Sequence, residues 1–157
     1  MALHVALYQP EIPPNTGNIA RTCLGTGTSL HLIHPLGFNI DDKTLRRAGL
    51  DYWKNVDVFE HDSFEALHAA YPEARFYYIE NYGTDHYTEV DFSDSEQDLF
   101  LVFGKETTGI PRELLAGKED SCLRIHMNDK IRSLNLANSV AIVVYEALRQ
   151  QGFPKLK

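Results

Sequence analysis

The chain has 157 residues, of which 43% are hydrophobic and 24% charged, and its formal net charge is −7. This length predicts one domain over residues 1–157, and the composition excludes a disordered or fibrous chain. No apolar run approaches the roughly 20 residues that span a bilayer, the N-terminus lacks a secretory signal, and the two cysteines form neither a disulfide framework nor a metal-ligand spacing. We therefore expect a cytoplasmic protein that uses neither a membrane nor a metal.

Apolar strand patterns alternate with helical patterns along the whole chain. In chain order, we predict a strand over 3–8, a helix capped by Asn15 or Thr16, a strand over 30–33, a helix over 41–49, a strand over 56–59, a helix over 63–71, strands over 75–79, 99–103 and 122–125, and a helix over 135–151. This alternation predicts an α/β domain with a mainly parallel sheet flanked by helices. The strand over 99–103 is the most apolar and is predicted to be central. A polar stretch over 81–98 precedes it, and its acidic part, 85–98, is predicted to be a long loop.

The charges are unevenly distributed along the chain. Residues 60–98 contain eleven acids and one base, whereas residues 124–157 contain six bases and two acids. Phosphate binding needs only a local positive face. The negative net charge therefore does not exclude a polyanionic ligand.

The first segment with a pattern unusual for scaffolding covers residues 10–22. Prolines stiffen the loop, and Asn15 lies at a predicted helix start, where backbone N–H groups can receive an anion. Arg21 follows Asn15 by nearly two helical turns, so both side chains can share one edge of the helix. The alternative is a capped helix that carries a surface arginine.

The second segment covers residues 101–111. Gly104 lies at the carboxyl end of the predicted central strand, which is where open α/β sheets bind ligands. Gly104 and Gly109 would let the backbone approach a ligand closely. The spacing matches neither a P-loop nor a dinucleotide fingerprint, and the alternative is a turn with two glycines.

The third segment covers residues 125–139 and leads into the last helix. Ser133 and Asn135 are predicted to cap that helix. Asn138 lies just inside it, although asparagine is a poor helix former, which indicates a use for its amide. Ser133 has no neighbouring base, so we interpret it as a polar positioning residue and not as a nucleophile.

Taken together and in this order, residues 15–21, 103–109 and 133–138 resemble the three motifs of the SPOUT superfamily of RNA methyltransferases. The likeness covers essentially the whole chain and is closest to the small tRNA 2′-O-methyltransferases of the wobble nucleotide, whose pattern residues 41–52 also resemble. The resemblance implies S-adenosylmethionine as cofactor, a tRNA substrate methylated at a wobble cytidine or modified uridine, a homodimer and a deep trefoil knot in the C-terminal part. Such knots are rare exceptions to the rule against threaded chains.

The resemblance also implies roles for individual residues. Arg21 would act on the ribose hydroxyl, Asn15 would position the ribose or Arg21, and three further residues would organise the site, namely Glu106, Ser133 and Asn135. The cofactor would be held by Ile79, Gly104, Gly109, Ile125, Ser133 and Leu134. With no separate RNA-binding domain, RNA would bind to Lys43, Arg46, Arg47, Lys130 and Arg132.

Two positions depart from the family pattern. Lys105 and His126 stand where many relatives have proline, and both belong to loops beside the expected cofactor site. They put the affinity for the cofactor in doubt more than the reaction class.

Three other functions compete with this interpretation. One is a non-catalytic RNA- or nucleotide-binding module, and another is 2′-O-methylation of a different RNA nucleotide. A dinucleotide-dependent oxidoreductase is disfavoured because the glycine fingerprint and its downstream acid are missing.

Overall fold

A single parallel sheet organises the protein, as a computed structural model shows for residues 2–40, 43, 47, 53–94 and 96–157. Its strands are β1 (Leu3–Tyr8), β2 (Ser29–Ile33), β3 (Val58–His61), β4 (Arg75–Ile79), β5 (Asp85–His86), β6 (Leu99–Phe103) and β7 (Cys122–Arg124), in the order β3-β2-β1-β6-β4-β7-β5. The α-helices whose full extent lies within the described residues are α1 (Pro13–Thr26), α2 (Phe64–Ala70) and α3 (Leu136–Gln150). Every pairing of these strands is parallel. The predicted α/β class is confirmed.

Strand β6 lies in the middle of the sheet, between β1 and β4, as predicted. All five of its residues are buried, because a central parallel strand is covered on both faces. Leu99, Leu101 and Phe103 face the core that α1 and α3 complete. Phe100 and Val102 alternate to the other face, where α2 packs.

Helix α1 begins earlier than predicted. Its first residues are Pro13 and Pro14, and Ile12 is the N-cap residue, without a side-chain cap of its own. Proline is well suited to the first helical positions because its missing N–H would have no partner there. The prediction that Asn15 or Thr16 caps this helix is therefore wrong, since both lie inside it and are buried.

Other boundaries shift by a few residues. Strand β3 begins at Val58 and not at 56, and β7 ends at Arg124. The acidic stretch 85–98 was expected to be a long loop, but it contains the short edge strand β5 and a 3₁₀ turn, Tyr87–Glu89. Two residues that pair with the end of β7 are too few to produce an apolar alternation in the sequence.

The predicted helix over 41–49 lies outside the described residues, apart from Lys43 and Arg47, which are helical and exposed. Elsewhere in the described chain, no helix combines the length and apolar character that crossing a membrane demands.

Three histidines form a hydrogen-bonded row across β1, β2 and β3. A ring nitrogen of His31 lies 2.9 Å from one of His4, and its other ring nitrogen lies 2.9 Å from one of His61. His31 is fully buried and also contacts the rings of Phe59 and Phe100. Burial first, and the neighbouring His4 and His61 second, lower the pKa of His31 to about 3. His31 is therefore neutral in the folded protein at neutral pH.

This burial makes stability depend on pH. Below its ordinary pKa of 6.5, His31 takes up a proton in the unfolded chain that it rejects in the folded one. The contribution of His31 to the free energy of unfolding is therefore complete above pH 6.5 and declines as the pH falls toward 3, with a slope that approaches about 1.4 kcal/mol per pH unit for one proton. We expect His31→Phe to flatten the pH dependence of urea unfolding between pH 7.5 and pH 5. Parallel pH profiles for wild type and variant would contradict this assignment.

Candidate active site

A cleft of about 790 Å³ opens where the loops after β4, β6 and β7 meet at one edge of the sheet. The carboxyl ends of parallel strands converge there, as expected for ligand sites in open α/β sheets. Six residues predicted to hold the cofactor all line this cleft, namely Ile79, Gly104, Gly109, Ile125, Ser133 and Leu134. Asn15, Glu106 and Asn135 line it as well, so the fold brings these nine residues together.

Glu106 caps helix α1 from a different loop. Its carboxylate accepts the backbone N–H groups of Glu11 and Ile12 at 2.9 and 2.8 Å. The first N–H groups of a helix have no partner within it, and the helix dipole favours a negative charge at that end. The sequence predicted an anion site at this helix start, and the anion found there is the carboxylate of the protein itself.

Two asparagines join the starts of α1 and α3. The Asn135 side-chain N–H donates to the side-chain amide oxygen of Asn15 at 3.1 Å. The side-chain N–H of Asn15 in turn donates to the Glu106 carboxylate at 3.3 Å. The amide oxygen of Asn135 accepts the N–H groups of Ala137 and Asn138, which caps α3 as predicted. Ser133, also predicted to cap α3, lines the cleft two residues before the true cap. Both asparagine amides are therefore fixed by contacts within the protein.

A second carboxylate ties the same two loops together. The backbone N–H and hydroxyl of Thr107 both donate to Glu11, at 3.1 and 2.7 Å. These hydrogen bonds from Thr107 lower the pKa of the Glu11 carboxyl. The Glu106 carboxylate thus accepts from the residues that precede α1, and the Glu11 carboxylate accepts from the loop after β6.

The loop after β6 folds back on itself, and its glycines make this possible. A Cβ on Gly104 would overlap the backbone of Gly109 and Ile110. Gly109 has a φ of +71°, and the carboxylate of Glu80 fills the space that a Cβ would need. A Cβ at either glycine would therefore meet atoms of the protein itself, and close approach of a ligand to these glycines stays a prediction.

Most of the basic residues predicted for RNA binding or catalysis do not line the cleft. Arg132 lines the cleft, but Lys130, Lys43 and Arg47 are exposed outside its lining, and Arg46 lies outside the described residues. Arg21 is exposed on α1 and does not line the cleft of its own chain. The structure therefore does not bring Arg21 together with the nine residues that line the cleft.

The two departures from the family pattern lie in different surroundings. Lys105 lines the cleft and donates to the side chain of Gln9 at 3.3 Å. His126 lies outside the cleft lining, where its ring stacks on that of His86 with 3.9 Å between the ring centroids. Of the two, only Lys105 is in position to contact a ligand in the cleft.

Sequence reasoning missed the polar residues that follow β4. Glu80 and Tyr82 line the cleft and bond to Ile110, and Asn81 donates to the backbone oxygen of Arg132 at 3.4 Å. Burial raises the pKa of the Glu80 carboxyl above its usual range. Burial first, and Glu80 second, raise the pKa of Tyr82 to about 12. The sequence signal that could have identified Glu80 is its position directly after a predicted strand. Gly104 was identified from the same kind of position, at the end of β6.

The described residues include no group of three or more histidine, cysteine or acidic side chains that could hold a metal ion. Apolar side chains line one part of the cleft, together with the hydrogen-bonded amides of Asn15 and Asn135. Its charged lining residues are Glu80, Glu106, Lys105, Arg112 and Arg132. Such a mixture suits an organic ligand with both apolar and charged parts.

Comparison with known proteins identifies relatives over almost the whole chain. The model of the SpoU rRNA Methylase family matches residues 2–145. A protein from Geobacillus stearothermophilus is 60% identical over 153 residues, which cover 98% of each chain. The tRNA (cytidine(34)-2′-O)-methyltransferase of Escherichia coli strain K12 is 46% identical over 153 residues, covering 97% of this chain and 96% of that enzyme.

Solved structures agree with this result. A structure that describes 2′-OH methylation of C/U34 on tRNA is 47% identical, covers 96% of this chain and 97% of its own, and superimposes with a TM-score of 0.88. The SpoU methyltransferase AviRb from Streptomyces viridochromogenes, in complex with AdoMet, is 25% identical, with a TM-score of 0.80. It covers 96% of this chain and 60% of its own.

Removing the Glu106 carboxylate tests whether it caps α1. We expect Glu106→Ala to lower the free energy of unfolding by about 1–2 kcal/mol, because the N–H groups of Glu11 and Ile12 lose their acceptor. Glu106→Gln retains one acceptor oxygen and should lose less. Urea unfolding of both variants beside Glu113→Ala, which removes an exposed acid, measures the difference. A Glu106→Ala variant as stable as the Glu113→Ala control would contradict the capping role.

Proposed function

The chain belongs to the SpoU rRNA methylase family, and we propose that it transfers a methyl group from S-adenosylmethionine to the ribose 2′-OH of nucleotide 34, the wobble nucleotide of tRNA. One observation carries this proposal, namely the match over nearly the full length of both chains to a tRNA (cytidine(34)-2′-O)-methyltransferase. The structure concerned with C/U34 supports the same nucleotide and both base identities.

The cleft fits the proposed cofactor in size and chemistry. A volume of about 790 Å³ lies within the range of small-molecule sites. Ile79, Phe103, Ile125 and Leu134 provide apolar contacts suited to an uncharged adenosine. The AdoMet complex of AviRb supports the same choice. When bound, S-adenosylmethionine supplies an electrophilic methyl group on a positively charged sulfur.

The cofactor would be held by the residues predicted for it at the three strand ends, with Gly104 and Ile125 offering backbone contacts and Ser133 and Leu134 closing the site. Asn15 and Asn135 serve as positioning residues, because both amides are engaged by other groups of the protein. Alignment of this kind contributes to catalysis by removing the entropy cost of orienting the reactants.

Arg21 is the proposed residue for the ribose hydroxyl. A guanidinium stays protonated in proteins and cannot serve as a general base. Arg21 therefore orients a phosphate of the RNA and stabilises the alkoxide as it develops, while the proton leaves to phosphate or water. Positive charge placed where negative charge develops is most effective in a site that excludes water.

A homodimer would reconcile this role with the position of Arg21. Arg21 lies outside the cleft lining of its own chain, so we propose that a second copy of the chain completes the site. Two exposed apolar side chains near the cleft support an interface, since Ile12 is 42% and Ile131 51% exposed. The trefoil knot implied by the resemblance stays a prediction.

For the RNA, we propose a surface on this domain itself. Lys43, Arg47 and Lys130 are exposed, and Arg132 lies at the cleft itself. Such residues neutralise phosphates locally even though the whole chain carries a charge of −7. A tRNA substrate favours a cytoplasmic location.

Incubation with isotopically labelled S-adenosylmethionine and tRNA that lacks ribose methylation tests the function. We expect label on a 2′-O-methylated cytidine or uridine at position 34, identified by mass spectrometry of nuclease fragments. Label on a base or at another nucleotide would still show methyl transfer to RNA, but it would contradict the proposed target, the 2′-OH of nucleotide 34. Cofactor binding without transfer to any RNA would favour a binding module.

Arg21→Ala separates catalysis from cofactor binding. We expect turnover to fall by at least about a hundredfold, because the alkoxide loses its stabilising charge, while the Kd for S-adenosylmethionine stays near the wild-type value. Single-turnover methylation and calorimetry measure the two quantities. Arg149→Ala on α3, whose side chain pairs with Glu146, is the matched control. A parallel loss of cofactor affinity would contradict the assignment.

Reversing two exposed charges tests the RNA surface. We expect Lys43→Glu combined with Arg47→Glu to weaken tRNA binding by about tenfold or more and to reduce the salt dependence of binding, because two phosphate contacts are lost. Binding of S-adenosylmethionine should not change and serves as the internal control. Unaltered tRNA affinity across a salt titration would exclude this patch.

A further inference from the structure

The segment after β4 holds the loop after β6 at one residue, Ile110. The backbone N–H of Ile110 donates to the carboxylate of Glu80, and its carbonyl oxygen accepts the hydroxyl of Tyr82 at 2.9 Å. Ile110 itself is buried in the apolar core on the α2 side of the sheet. Glu80 and Tyr82 therefore bind both polar groups of Ile110, and we call them the Ile110 clamp.

The clamp is fixed to the sheet. The backbone N–H of Glu80 donates to the oxygen of Leu123 at 2.9 Å, which extends the pairing of β4 with β7. A Cβ on Gly83 would lie only 2.8 Å from the oxygen of Cys122, so the chain after Tyr82 lies directly against β7. The guanidinium of Arg112 covers the ring of Tyr82 at 4.3 Å from its centroid. The backbone that carries the Glu80 and Tyr82 side chains is therefore held against β7.

The loop that the clamp holds is also bonded to α1 and to the residues that precede it. Near the start of the loop, Glu106 accepts from Ile12 and from the Asn15 side chain, and Lys105 and Thr107 donate to Gln9 and Glu11. Beyond these contacts, Thr108 is exposed, and the chain turns at Gly109 against the Glu80 carboxylate. Glu80 and Tyr82 therefore hold the end of the loop in place at the cleft.

We propose that Glu80 and Tyr82 are positioning residues for cofactor binding, which hold residues 104–111 in the conformation that S-adenosylmethionine meets. This inference rests on the proposed function, because it assigns the ligand of the cleft. Both residues act through Ile110 and the loop backbone, and preorganisation of this loop removes an ordering cost that binding would otherwise include. Loss of the clamp should therefore weaken binding more than it slows the reaction at saturating cofactor.

Hydrogen exchange of the cofactor-free protein tests the clamp without any reaction. We expect Glu80→Ala to speed exchange of amides in 104–111 by about tenfold or more, because the N–H of Ile110 loses its acceptor. Tyr82→Phe should produce a smaller increase in the same segment. Glu80→Gln retains an oxygen that can accept the Ile110 N–H and should restore much of the protection. Glu73→Ala, which removes an exposed acid, is the matched control.

Calorimetric titration with S-adenosylmethionine supplies the second measurement. We expect the Kd to rise in the order Glu80→Gln, Tyr82→Phe, Glu80→Ala, with kcat at saturating cofactor within about threefold of wild type. Thermal melting identifies a variant that is globally unfolded. Tyr82→Phe, which removes one hydroxyl, then takes the place of Glu80→Ala.

Two results would overturn the inference, and each differs from failure of the proposed function. Wild-type exchange rates in Glu80→Ala, or in Tyr82→Phe if Glu80→Ala does not fold, would exclude the clamp. Faster exchange with an unchanged Kd would show that the clamp has no part in cofactor binding. A wild-type protein that binds no S-adenosylmethionine would instead overturn the proposed function, whatever the exchange rates show.

Discussion

The carboxylate of Glu106 at the start of helix α1 is the contact on which the rest of the cleft depends. Helix α1 begins with two prolines, which have no N–H, and its N-cap residue Ile12 makes no side-chain cap. The N–H groups of Ile12 and of Glu11 before it need an acceptor from elsewhere. Glu106 provides it from a loop more than 90 residues away in sequence. Because Glu106 also bonds Asn15, and Asn15 bonds Asn135, one continuous set of hydrogen bonds joins the starts of α1 and α3. Fully satisfied polar networks of this kind make a site rigid.

This network shows that several polar residues of the three motifs bond to one another within the protein. Asn15 and Asn135 are held by the protein, and the helix N-terminus that could have received a phosphate receives Glu106 instead. Arg132 and Lys105 are cationic side chains that line the cleft, whereas Arg21 is exposed on α1. In the proposed function, the cleft would hold the cofactor and the proposed dimer would complete the RNA surface.

Much of the fold was predictable because apolar periodicity reports burial directly. The central position of β6 followed from its five consecutive apolar residues, and the cap at Asn135 followed from its position before an amphipathic helix. The start of α1 was not predictable in this way, since its cap comes from Glu106. Strand β5 was also missed, because its two residues are held by pairing with β7 and not by their own hydrophobicity.

The sequence by itself determined the fold class, the three motifs and the resemblance to a methyltransferase family, because these depend on local pattern and on order along the chain. Tertiary structure decided which side chains meet. It placed Glu80 and Tyr82 on Ile110, filled the space beside Gly104 and Gly109 with protein atoms, and left Arg21 outside the cleft. Such contacts join residues that are distant in sequence, and only the convergence of parallel strands at one edge of the sheet brings them together.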